Sequence, residues 1–188
     1  MTTHFIDITL LPDPDFSQPH LLGALMAKLH RALVQLRCDD IGISFPQYNV
    51  RARSLGAVLR LHGGASRLTG LMAQPWLQGM RDHVKLTEAV PVPSGAPQCI
   101  VQRRQFKTNV ERLRRRRMRR KGETMAEAAA AIPDSVERRP DLPYLHVRSA
   151  SSGQAFCLFI DQETKPREVV GGTFNSYGLS QGGTVPWF

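Results

Sequence analysis

The sequence predicts an α+β protein. An N-terminal domain runs β-α-β-β-α-β over residues 1–90, a linker follows at 91–97, and a smaller α+β domain at 98–188 carries an arginine-rich helix at 109–121. Three observations predict this. Strand-like alternation and helix-like periodicity take turns along the first ninety residues. Residues 91–97, Pro-Val-Pro-Ser-Gly-Ala-Pro, show no period and read as a connection. The excess charge is local. Residues 103–121 hold eleven basic side chains against the single acid Glu111, whereas the rest of the chain holds 14 basic and 15 acidic ones. A focused cationic patch on an otherwise neutral chain points to a polyanionic partner.

Each element has a local cause. Phe5 to Leu11 reads as a strand with Ile6, Ile8 and Leu10 on one face. Leu22, Leu25, Met26, Leu29, Ala32, Leu33 and Leu36 recur every three or four residues, the apolar stripe of a helix. Ile41 to Phe45 is a short strand stopped by Pro46. Val58 to His62 is another, with Val58 and Arg60 opposite Leu59 and Leu61. Ser66 to Met72 reads as a short helix ending before Pro75, and His83 to Val90 supplies a fourth strand. This order is the ferredoxin-like plan, an antiparallel sheet with two helices on one face. Beyond the linker, Gln98 to Gln105 reads as a strand. Asn109 is a good N-cap for the arginine helix, and Glu111 suits its positive end. Thr124 to Ala131 reads as an alanine-rich helix. Tyr144 to Arg148, Ala155 to Ile160 and Arg167 to Val170 read as strands before a glycine-rich tail.

Composition excludes several classes. At 41% hydrophobic, with mixed charges outside the patch, the 188 residues are not a disordered chain. No apolar run approaches the ~20 residues of a membrane-spanning helix. The start lacks the basic and apolar regions of a signal peptide. Cys38, Cys99 and Cys157 form neither a disulfide framework nor a Cys-x-x-Cys site, so a reducing cytoplasm is expected. No His-x-x-x-His, phosphate loop or Gly-x-Ser-x-Gly occurs, so no metal, cofactor or serine-hydrolase elbow is expected.

The arginine helix is the strongest chemical signal. Counting from Arg112 places Arg116, Arg119 and Arg120 on one face with Arg115 at its edge. Four consecutive arginines repel one another, and phosphates between them remove that repulsion. Guanidinium forks bind phosphate or guanine in a bidentate way; this helix alone does not decide between RNA and DNA. Arg103 and Gln105 alternate on a strand, so they point the same way and are able to read adjacent bases, or are simply solvated. Phe156 is either a base-stacking platform or a core aromatic. Among six histidines, His30 sits at the border of the helix stripe, and Arg148-Ser149-Ala150-Ser151-Ser152-Gly153 offers hydroxyls entering a glycine turn.

Four segments together resemble the CRISPR-associated endoribonucleases of the type I-F system, over essentially the whole chain. They are Leu29-His30, Asn109 through Arg120, Arg148-Ser149-x-Ser151-x-Gly153-Gln154-x-Phe156, and Tyr177-Gly-Leu-Ser-x-Gly-Gly-x-Val-Pro-Trp-Phe188. The resemblance implies a ferredoxin-like domain joined to a domain that grips the repeat stem-loop of precursor CRISPR RNA. It implies that Arg112, Arg115, Arg116, Arg119 and Arg120 line the major groove of the stem. Arg103 and Gln105 would read its lowest bases, and Phe156 would stack beside the cut. His30, Ser149, Ser151 and Tyr177 would form the catalytic centre, with His146 as a rival base.

The chemistry so implied needs no metal, because RNA supplies its own nucleophile in the 2′-hydroxyl. Histidine suits the base, since its ordinary titration falls near working pH. The product would stay bound, and the protein would serve as one subunit of the interference complex, with no small-molecule cofactor and no membrane. A non-cleaving hairpin binder and a basic-helix DNA regulator are the competing functions.

Overall fold

A computed structural model describes residues 2–106, 109–136, 141–148 and 153–188. It is a mixed α+β structure with antiparallel sheets, and the described residues hold four α-helices. The chain gathers into two compact units, residues 1–104 with 142–188, and residues 105–141.

In the larger unit, β1 (His4–Leu10) pairs antiparallel with β3 (Val58–Gly63), aligning Ile6 with Leu61 and Ile8 with Leu59. β2 (Gly42–Ser44) pairs with the far side of β3, while β4 (Val84–Leu86) and β5 (Val90–Pro91) pair with β1. The strand path is β2-β3-β1-β4. Two helices follow the periodicity: α1 (Gln18–Leu36) and α2 (Ala65–Met72). Ile6, Ile8 and Leu10 are buried together with Leu22, Leu25, Met26, Leu29 and Leu33 of α1, so one face of the sheet and one stripe of the helix share a core. Pro19 lies in the first turn of α1, where its missing N–H costs nothing.

The second sheet runs β11-β6-β8-β7. β6 is Gln98–Arg104, β7 Tyr144–Arg148, β8 Ala155–Arg167 and β11 Val185–Pro186. A small ribbon, β9 (Thr173–Phe174) with β10 (Ser180–Gln181), precedes β11. Residues 155–160 and 167 thus belong to one thirteen-residue strand, and the separate strand expected at Arg167–Val170 does not form: residues 168–170 lie outside any strand. The polar run Asp161-Gln162-Glu163 hid this continuity. Gln162 is buried, accepting from the Phe45 N–H at 2.8 Å and donating to the Phe45 carbonyl at 3.0 Å. An amide placed this way acts as a backbone surrogate, so a strand runs on through a residue that breaks the apolar pattern.

Arg60 is on the opposite face of β3 from Leu59 and Leu61, as its spacing requires, yet it is buried. Its guanidinium grips both Asp7 carboxylate oxygens at 2.7 and 2.8 Å, donates to the Phe188 carbonyl at 2.8 Å, and lies over the Phe5 and Phe188 rings. The C-terminal residues therefore cover the face that the alternation left to solvent. Gly42 shows how closely they approach, since a Cβ there would lie 2.6 Å from side-chain atoms of both Phe174 and Val185. Gly23 has the same role between α1 and β7, where a Cβ would meet the His146 carbonyl oxygen at 2.5 Å.

The smaller unit holds α3 (Val110–Lys121) and α4 (Met125–Ala131), packed against each other. The Asn109 side chain accepts from the Arg112 N–H at 2.6 Å, Gly122 ends α3 at φ +68°, and Thr124 and Glu127 form a reciprocal capping box. Among the described residues no helix is long and apolar enough to cross a membrane. The three cysteines are free, and burial pushes the Cys99 thiol up to about 12.

His62, fully buried on β3, has Nε2 2.8 Å from the Ser44 hydroxyl and a buried Nδ1 without a partner among the described residues. Burial, with the Arg60 charge as a smaller cause, lowers its pKa from 6.5 to about 3. Between those values the unfolded chain binds a proton that the folded one refuses. His62 therefore contributes a loss of stability as pH falls from 6.5 towards 3, about 1.4 kcal/mol per pH unit at most. Urea unfolding of the double variant His62→Leu/Ser44→Ala should show a flatter pH dependence across that window, while an unchanged slope would show that His62 does not titrate there.

Candidate nucleic-acid site

His30 stands beside fully buried Leu29 on α1, half-buried at the edge of the apolar stripe. Its Nδ1 is 2.9 Å from the Ser176 carbonyl oxygen. A carbonyl only accepts, so Nδ1 carries the proton, and in the neutral ring the lone pair is on Nε2. The Tyr177 ring stacks on the imidazole with centroids 4.1 Å apart and planes 7° from parallel. Position, tautomer and ring plane are all set by the segment that follows β9.

That segment is shaped by Asn175, which the sequence reading missed. Its side-chain oxygen accepts from the Tyr177 and Leu179 N–H groups at 2.8 and 3.1 Å, while its own N–H donates to the Leu179 carbonyl at 2.8 Å. Gly178 turns at φ +76° with the Ile43 side chain too close for a Cβ, and its carbonyl accepts from the Ile43 N–H at 2.9 Å. The signal was present as Asn-x-Tyr-Gly: asparagine bonding the backbone two residues on, then a left-handed glycine, is a turn signature.

Two more expected residues belong to this unit. Arg103 is near the exposed end of β6, its guanidinium 5.4 Å from the centre of the half-buried Phe156 ring on β8. Burial raises the Tyr177 hydroxyl pKa, and the positive charge of Arg103 partly opposes that. His30, Tyr177, Arg103 and Phe156 are thus linked by a stack, a field and a cation–ring contact. Ser149 and Ser151 lie outside the described residues. Arg148, which precedes them, is exposed and pairs with Ala155 on β8. His146, the rival base, is exposed on β7 with Nδ1 3.8 Å from Cys157 Sγ and its ring edge-on to Tyr144.

In the smaller unit the arginines divide by face. Arg112, Arg115, Arg116, Arg119 and Arg120 are exposed and have no ion pair or hydrogen bond from their side chains to any described residue. Arg114 and Arg117 point inward. Arg114 donates to the Ile132 carbonyl at 2.9 Å and pairs with Asp134 at 2.9 Å; Arg117 grips Glu123 through two nitrogens. The exposed Gln105 belongs to this unit and not to β6, which ends at Arg104; the shared strand face expected for Arg103 and Gln105 stops one residue short. The described residues contain no cluster of His, Cys, Asp and Glu arranged to hold a metal ion.

Guanidiniums with no partner among the described residues, in one unit, and an oriented imidazole in the other are groups chemically suited to a phosphodiester chain. The chain belongs to the CRISPR-associated Cas6/Csy4 family: the family described as "CRISPR-associated protein (Cas_Csy4)" matches residues 5–188. The CRISPR-associated endonuclease Cas6/Csy4 of Pseudomonas aeruginosa (strain UCBPP-PA14) is 47% identical over 185 residues, 98% of this chain and 99% of that protein. The protein of the same description from Escherichia coli (strain UTI89 / UPEC) is 43% identical over an equal span, with the same coverage of both chains.

The two arginine faces should separate under mutation. Arg114→Ala removes a half-buried charge-assisted bond and should loosen the smaller unit by about 1–2 kcal/mol, read as faster proteolysis within residues 105–141. Arg119→Ala should leave proteolysis unchanged while weakening RNA binding and reducing its salt slope by about 1. Equal proteolysis of the two variants would contradict the division.

Proposed function

We propose that this chain is an endoribonuclease that cleaves the repeat hairpin of precursor CRISPR RNA without a metal. It leaves a 2′,3′-cyclic phosphate and a 5′-hydroxyl, and it stays on its product as a cytoplasmic subunit of the type I-F interference complex. Family membership and two relatives named as endonucleases support the activity. The single observation that carries the mechanism is the Nδ1–H bond to the Ser176 carbonyl, which leaves Nε2 of His30 free to take a proton.

In the proposed reaction Ser149, with Ser151 beside it, holds the ribose so that its 2′-oxygen lies in line with the leaving 5′-oxygen. The 2′-oxygen bonds to phosphorus as the P–O5′ bond breaks. The 2′-proton passes to Nε2 of His30, and the 5′-oxygen takes one from solvent. Tyr177 keeps the imidazole in plane. Phe156 stacks on the base pair next to the cut, its face backed by Arg103, while Arg103 and Gln105 read the bases at the foot of the stem. The exposed face of α3 grips the major groove of a stem short enough for its loop end to open that groove. Phosphate contacts of this kind outlast the cut, so turnover is near single. The β2-β3-β1-β4 path with α1 and α2 favours the ferredoxin-like arrangement for residues 1–90, with 98–188 as the hairpin-gripping domain.

In EDTA, a labelled repeat hairpin should be cut and its 2′-deoxy counterpart should not. His30→Ala should lower the rate by about 10²–10⁴-fold with hairpin affinity kept. Binding without cleavage by the wild type would make the chain a binding subunit, and preference for duplex DNA would make it a regulator. Because the ring rather than the hydroxyl of Tyr177 stacks on His30, Tyr177→Phe should cut within about threefold of wild type and Tyr177→Leu about tenfold or more below it. Equal losses in both variants would point to the hydroxyl instead.

A further inference from the structure

The part of α1 that carries His30 also walls a cavity of about 710 Å³. Its lining includes Lys28, His30, Arg31 and Val34 of α1, with Pro75 and Trp76 from the 3-10 turn at Pro75–Leu77. Among the described residues that line it, two carry cationic side chains and none a carboxylate. The Lys28 ammonium donates to the Gln78 carbonyl at 2.6 Å and keeps two more donors. Arg31 is exposed, with no ion pair or hydrogen bond from its side chain to any described residue. Val34, 53% exposed, and Pro75 add apolar surface to the same wall.

We infer that this cavity receives the first single-stranded nucleotides on the 3′ side of the cut, the strand that departs with the 5′-hydroxyl. The inference rests on cleavage beside His30. A phosphate held at that imidazole continues as RNA in both directions, and its 3′ strand begins next to a residue that is itself part of the cavity wall. Single-stranded RNA asks for cations without carboxylates along its backbone, and for apolar surface that accepts any base. The lining offers both. Arg31 meets a phosphate as a planar fork and Lys28 as a point charge. The hairpin product ends at the cut and cannot reach these groups. The cavity therefore adds affinity for the precursor and none for the product.

The test compares hairpins carrying either one nucleotide or a long single-stranded flank 3′ of the cut, at sub-saturating enzyme. The wild type should cut the long-flank RNA faster. Arg31→Gln should shrink that advantage about threefold, and Arg31→Glu should abolish it, each lowering the salt slope for the long-flank RNA by about 0.7. A photoreactive base at the first 3′ position of an uncleavable 2′-deoxy hairpin should crosslink within residues 28–35 or 75–78. A flank advantage untouched by Arg31→Glu overturns the inference, as does a crosslink that lands elsewhere. If the wild type cuts neither RNA, cleavage beside His30 is what has failed, and the crosslink with the 2′-deoxy hairpin still reports on the cavity.

Discussion

A backbone carbonyl can only accept a hydrogen bond, and the tautomer of His30 depends on that constraint. Because Ser176 presents its carbonyl to His30, the proton of the neutral imidazole is held on Nδ1 and the lone pair on Nε2. The carbonyl points there because Asn175 and Gly178 fold residues 175–179 into a tight turn, and because that turn is tied to β2 through the Ile43 N–H. β2 in turn accepts the last residues of the chain through the gap at Gly42. The tautomer of an imidazole on α1 is thus set by a residue 146 positions away, so this arrangement cannot form until both ends of the larger unit have folded together.

The basic helix solves a different problem. Eight cations within α3 repel one another, yet the helix is capped at both ends and anchored by Val110. Two arginines supply the anchoring charge pairs and five are left outward with no described partner. A helix in this condition is pre-organised for an anion: the cost of ordering the backbone is met within its own unit, while a polyanion relieves the repulsion among the outward guanidiniums.

Much of this was legible in the sequence. The apolar stripe of α1, the ends of β7 and the Asn109 cap follow from local rules, and the spacing from Arg112 singles out the same five arginines that face outward. What was not legible depends on distant partners. Arg60 lies on the face of β3 that alternation assigns to solvent, and the carbonyl and ring of Phe188 help make its surroundings an interior. The strand reads as ending at Ile160 because the partner of Gln162 is the backbone of Phe45, more than a hundred residues earlier. The need for glycine at position 23 depends on β7, whose His146 carbonyl presses against it. At the site, the histidine and tyrosine were readable as motif residues, but Asn175, which shapes the turn, required the hydrogen bonds themselves.

The most direct test is the tautomer of His30 in the free protein. Nitrogen-15 NMR of the labelled protein, with His30→Gln used to assign the ring, reports which nitrogen bears the proton when the imidazole is neutral. A protonated Nδ1 and a bare Nε2 are expected, and Ser176→Pro, which disturbs the turn, should scramble them. A neutral ring with its proton on Nε2 would leave no free lone pair facing the substrate and would contradict the account.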